Sequence, residues 1–83
     1  MQYSYTPHGV CSRAILIDAE DGIVNKVQFI GGCSGNTQGI AALVEGMLLD
    51  EVVKRLEGIK CGSRPTSCPD QLAKALKKVA EEQ

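Results

Sequence analysis

At 83 residues the chain has room for one hydrophobic core, and a single domain over residues 1–83 is expected. Its composition, 43% hydrophobic and 23% charged with a net charge of -1, is that of a globular domain and argues against the basic stripe that nucleic-acid binding needs. No apolar run approaches the roughly 18 residues of a membrane span, and the opening MQYSYTPHGV lacks a basic or apolar targeting segment. A cytoplasmic protein without membrane or nucleic-acid partners is therefore expected.

Tyr3 to Thr6 alternate aromatic and polar residues and read as a short strand, interrupted by Pro7, His8 and Gly9. Arg13 to Ala19 is rich in isoleucine, and Ile23 to Ile30 carries Val24, Val27 and Phe29. The Asp21-Gly22 pair between them is a turn signal, so the two runs form an antiparallel hairpin.

After Gly31-Gly32-Cys33-Ser34-Gly35 the period changes. Ile40, Leu43, Val44 and Met47 fall on one face of a helix capped by Asn36 or Thr37, with Gly46 near its end. Leu49, Val52, Val53 and Leu56 repeat the spacing, with Asp50 suited to the N-terminus and Gly58 to C′. A third helix begins around Pro69 with Leu72, Leu76, Val79 and Ala80 on its stripe, and Ser67 with Asp70 resembles a capping box. Strands first and helices after predict an α+β fold: a small antiparallel sheet, hairpin plus N-terminal strand, covered on one face by three helices. Leu43, Met47, Leu56, Leu72 and Leu76 should meet Ile15, Ile17, Val27 and Phe29. Lys74, Lys77 and Lys78, followed by Glu81 and Glu82, read as a solvated helix face.

Four cysteines remain, each at an element boundary. Cys11 precedes the first hairpin strand, Cys33 lies in the glycine loop, Cys61 follows the second helix and Cys68 opens the third. A hairpin sets the start of one strand beside the end of its partner, which makes Cys11 and Cys33 neighbours. Helices returning across the sheet bring Cys61 and Cys68 towards the same end. Convergence of at least three thiols suits tetrahedral thiolate ligation of a metal, with zinc as the expected ion. Inert buried thiols and a redox-active or disulfide pair are the alternatives. His8, within reach of a three-cysteine, one-histidine site, and Arg64 read first as surface residues, with Arg64 beside two thiolates able to lower their pKa or hold an anion; Asp70 reads as a helix-stabilising carboxylate. Cys68, at a helix N-terminus, is the best candidate nucleophile, but no second histidine stands ready as its base. The glycine loop matches neither dinucleotide nor Walker patterns.

Thr66-Ser67-Cys68-Pro69-Asp70 spells TSCPD. With Phe29-Ile-Gly-Gly-Cys33-Ser-Gly-Asn36, Gly58-Ile59-Lys60-Cys61 and Gln71-Leu72-Ala73, it makes the chain resemble the TSCPD domain family from about Tyr3 to the third helix. That family includes small stand-alone bacterial proteins and a domain of adenosylcobalamin-dependent ribonucleoside-diphosphate reductases. The resemblance implies a link to deoxyribonucleotide synthesis, with a ribonucleotide reductase or another enzyme as partner. A chain of this length cannot supply the radical-generating barrel, so the implied role is an accessory module; a cysteine pair, Cys61 and Cys68, that re-reduces an active site is one form of it. The order of the cysteines also looks like the iron–sulfur cluster assembly scaffold fold, and that resemblance implies an iron–sulfur cluster or zinc as cofactor, with Cys11, Cys33 and Cys68 at the matching positions and Cys61 additional. That family's acidic residue after the first cysteine has no counterpart here, where Ser12 and Arg13 follow Cys11.

Overall fold

The computed structural model describes residues 1–10, 12–31 and 34–82. Asp21 and Gly22 both have positive φ, 52° and 77°, the left-handed pair that a two-residue hairpin turn demands. That turn joins strands β2 (Ser12–Glu20) and β3 (Ile23–Gly31), which pair antiparallel from Glu20↔Ile23 to Ser12↔Gly31. Strand β1 (Gln2–Tyr5) adds antiparallel to the other side of β2, giving the order β1-β2-β3.

One face of this sheet is apolar because alternation puts Ile15, Ile17 and Ala19 of β2 on the same side. Their partners there are Phe29, Val27 and Val24, with Tyr5 and Tyr3 from β1. Val24 and Val27 are three residues apart, a spacing that alternation alone would split between faces. A bulge resolves the conflict: Asp18 pairs with Lys26 but Ala19 with Val24, so Asn25 is the extra residue that resets the phase.

Helices α1 (Ser34–Val44), α2 (Leu49–Leu56) and α3 (Cys68–Glu82) follow. Helix α3 buries Leu72, Ala75, Leu76 and Val79, one stripe at helical spacing, and α2 adds Leu49 and Val52 to the same core. Asp50 and Glu51 in the first turn of α2 and Lys54 and Arg55 in its last complement the helix dipole, since Leu48 supplies no side-chain cap. Among the described residues no helix is long and apolar enough to cross a membrane.

Two expectations for α1 are corrected. Leu43 is 78% exposed; the buried face runs through Thr37, Ile40, Ala41 and Val44, so the apolar stripe lies one residue away from where Leu43 would place it. The helix also starts at Ser34, which puts Asn36 and Thr37 inside it and not at its cap. Beyond α1 the chain is tied back to β3. The Gly46 N–H donates to Val24 O at 2.7 Å, Val24 N–H to Met47 O at 2.9 Å, and Leu49 N–H to Gly22 O at 2.7 Å. Met47 therefore packs on the core from a turn, not from a helix.

Candidate functional site at the start of helix α3

The five residues Thr66 to Asp70 divide between holding the site and facing it. Ser67 is the cap: its Oγ accepts the Asp70 N–H at 3.2 Å, and its hydroxyl donates to Ile59 O at 2.6 Å. One serine thus closes a helix end and fixes the preceding loop. The Asp70 carboxylate does not complete a reciprocal box. It accepts the Gly58 N–H at 2.7 Å and the Thr66 hydroxyl at 2.5 Å, and it pairs with Lys74 at 3.2 Å.

Burial at 3% exposure pushes the Asp70 carboxyl upward, but the hydrogen bonds from Thr66 and Gly58 and the Lys74 ammonium outweigh it. The carboxyl is held below the usual carboxylate range and is ionised at neutral pH. Gly58, at φ 86°, is where the chain turns sharply enough to present its amide to that charge.

Gln71 extends the network. Its Nε2 donates to Thr66 Oγ1 at 2.9 Å, while its Oε1 accepts the His8 N–H at 3.0 Å and the Tyr5 hydroxyl at 3.4 Å. The N-terminal segment is therefore moored to α3. Among the described residues every buried side-chain nitrogen and oxygen has a partner.

Against this frame stand the thiols. Cys68, half-buried at the first position of α3, holds its Sγ 3.1 Å from Ser12 Oγ, a hydrogen-bond distance that joins the start of β2 to the start of α3. Cys61 is exposed in a tight loop: its N–H donates to Thr66 O at 3.3 Å and its carbonyl accepts the Arg64 N–H at 3.0 Å. Both cysteines line one cavity of about 340 Å³ between the first turns of α1 and α3. Val10, Ile40, Ile59 and Pro69 supply apolar lining, and Asn36, Thr37, Lys60 and Arg64 supply polar or charged lining.

Cys11 and Cys33 lie outside the described residues. Ser12, which follows Cys11, and Gly31, two residues before Cys33, pair with each other at this end of the sheet. His8 contributes its backbone to Gln71. Among the described residues no three His, Cys, Asp or Glu side chains gather as ligands for a metal.

A family model, that of the TSCPD domain, matches residues 1–80. The chain belongs to the TSCPD domain family. No curated protein and no solved structure matches it significantly, so the likeness to the iron–sulfur scaffold fold rests on the order of the cysteines alone. In this TSCPD domain, the family string is chiefly a device for seating a helix: Thr66, Ser67 and Asp70 are buried and bonded, and Cys68 faces the cavity. Sequence reasoning gave Thr66 and Gln71 no role. The available signal was the placing of Thr66 and Asp70 four residues apart across a helix start, with Gln71 next in line. It also missed Ser12, a buried hydroxyl beside a thiol, whereas Arg64 is exposed as expected.

Proposed function

We propose that this TSCPD domain is a thiolate metal-binding accessory module. Cys61 and Cys68 act with Cys11 and Cys33 as ligands, and zinc is the first choice of metal. The observation that carries this is the 3.1 Å approach of Ser12 Oγ to Cys68 Sγ, beside the Ser12↔Gly31 pair. Ser12 at the start of β2, next in sequence to Cys11, thus meets the first residue of α3, Cys68, and its strand partner Gly31 stands two residues before Cys33 in the sequence. The donor set fits a borderline-soft divalent ion, because four thiolates are the common set for structural zinc. The Ser12 hydroxyl is placed to hydrogen-bond a Cys68 thiolate, the outer contact that orients a ligand sulfur. Bound zinc would add its binding free energy directly to the stability of a domain with a small core. The family's presence in ribonucleoside-diphosphate reductases supports an enzyme of deoxyribonucleotide synthesis as the partner served.

A second reading, thiol exchange or carriage of an iron–sulfur cluster, is favoured by one observation: Cys61 is exposed and lines the same cavity as Cys68. Protein purified without oxygen separates the two. Metal analysis should give one zinc per chain, chelation should lower the melting temperature, and Cys68→Ser should reproduce the loss. A contribution of only about 2 kcal/mol corresponds to about 8–16 °C in a domain of this size. Coloured protein, or a melting curve indifferent to both chelation and Cys68→Ser, would remove the structural-zinc reading.

A further inference from the structure

We propose that the cavity between α1 and α3 binds a small organic anion, with Arg64 and Lys60 pairing its charge and Val10, Ile40, Ile59 and Pro69 holding its apolar body. The chain carries ten acids against nine lysines and arginines, yet no acid lines this cavity, and none of residues 11, 32, 33 and 83 is acidic. Two cations do line it, in a five-residue stretch.

Arg55 pairs with Glu51, Lys74 with Asp70 and Lys77 with Glu57, and Lys78 sits over the Tyr5 ring. Among the described residues Lys60 and Arg64 have no such partner. The loop that presents them is nonetheless held in place: Cys61 and Thr66 close it through the backbone, and Ser67 pins Ile59. Two charges on a fixed loop lose less entropy on pairing than two on a mobile one.

The remaining walls supply the second half of recognition. Valine, two isoleucines and a proline are apolar surface set within reach of charge, the mixture of greasy lining and few convergent polar groups that marks small-molecule sites. A cavity of about 340 Å³ is at the small end of such sites, which limits the ligand to a compact carboxylate, sulfonate or phosphate ester with an apolar portion. The amides at the start of α3, a helix of 15 residues, add to the positive potential without being needed to define the site. The inference stands on the cavity and its cations, and is independent of which metal, if any, the thiols hold.

The test uses the full chain as purified, with anilinonaphthalene sulfonate as the anionic probe and N-phenylnaphthylamine as its neutral counterpart, both read by fluorescence. Wild type should bind one sulfonate probe per chain saturably, and the neutral probe about tenfold more weakly, the factor expected from one charge-assisted contact. Arg64→Gln and Lys60→Gln should each weaken sulfonate binding about tenfold while retaining the wild-type circular dichroism. Leu43→Ser, at an exposed apolar residue outside the cavity, should leave it unchanged. Absence of binding by wild type, equal affinity for the two probes, or loss of binding in Leu43→Ser would each overturn the proposal. So would normal sulfonate binding by Arg64→Gln and Lys60→Gln; if metal content falls in the same variants, the cations serve the thiolates instead.

Discussion

Replacing Asp70 by asparagine keeps the shape of the side chain and removes its charge, which isolates what that charge does beneath α3. The carboxylate accepts two hydrogen bonds, from Gly58 N–H and the Thr66 hydroxyl, and a Lys74 ion pair. Each charge-assisted bond contributes about 1.5–3 kcal/mol, whereas an amide oxygen can retain at most one of them at about 0.5–1.5 kcal/mol. The Lys74 ammonium is about half exposed, so its pairing adds little. Asp70→Asn should therefore cost about 3 kcal/mol, a large share of the total of about 4–12 kcal/mol expected for a domain of this length. The melting temperature should fall by about 12–24 °C. Urea titrations followed by circular dichroism, with chelator and reductant present so that no metal titrates alongside, would measure it. The pH dependence has a definite sign. Because the folded carboxyl titrates below its unfolded value, its stabilisation is fully present above pH of about 4 and is lost as pH falls through the lowered folded value. Wild type and Asp70→Asn should thus converge in strong acid. A difference below about 1 kcal/mol at neutral pH, or one that persists undiminished in acid, would refute the account.

Two further substitutions probe the frame. Leu76→Ala, at a fully buried position, should cost about 2–5 kcal/mol, whereas Leu43→Ser should stay within about 0.5 kcal/mol by the same urea assay. Ser67→Ala removes both the cap and the Ile59 contact and should cost about 1–2 kcal/mol, with faster hydrogen exchange at Asp70 N–H as its local signature.

The hairpin was legible because Asp21-Gly22 admits few backbone solutions, and α3 because its apolar stripe and its Ser67 cap agree. Helix α1 was less so. Ile40, Leu43, Val44 and Met47 fit a helical stripe on paper, but the turn at Gly46, tied to Val24, ends the helix before Met47 and leaves Leu43 outside. Periodicity reports which residues share a face, not which of two adjacent stripes meets the sheet. The site was half readable for a similar reason. Cys61 and Cys68, both at element boundaries, line the same cavity, since helix ends and strand ends meet at the end of a sheet. The polar contacts beneath them, Ser12 to Cys68 and Gln71 to His8, join residues 56 and 63 positions apart, and no local pattern encodes such pairs.

That separation has a consequence for when the site exists. A nascent chain can close the hairpin as soon as Gly31 is made, because its contacts are local. The cavity needs Val10, the first turns of α1 and the opening of α3 at once, and the Gln71 mooring joins segments more than sixty residues apart. Closing so long a loop is entropically costly and is repaid only when α3 docks. The thiols and cations of the site should therefore be the last part of the domain to assemble and among the first to loosen, so that any ligand or metal captured there acts as a clasp on folding as well as a cargo.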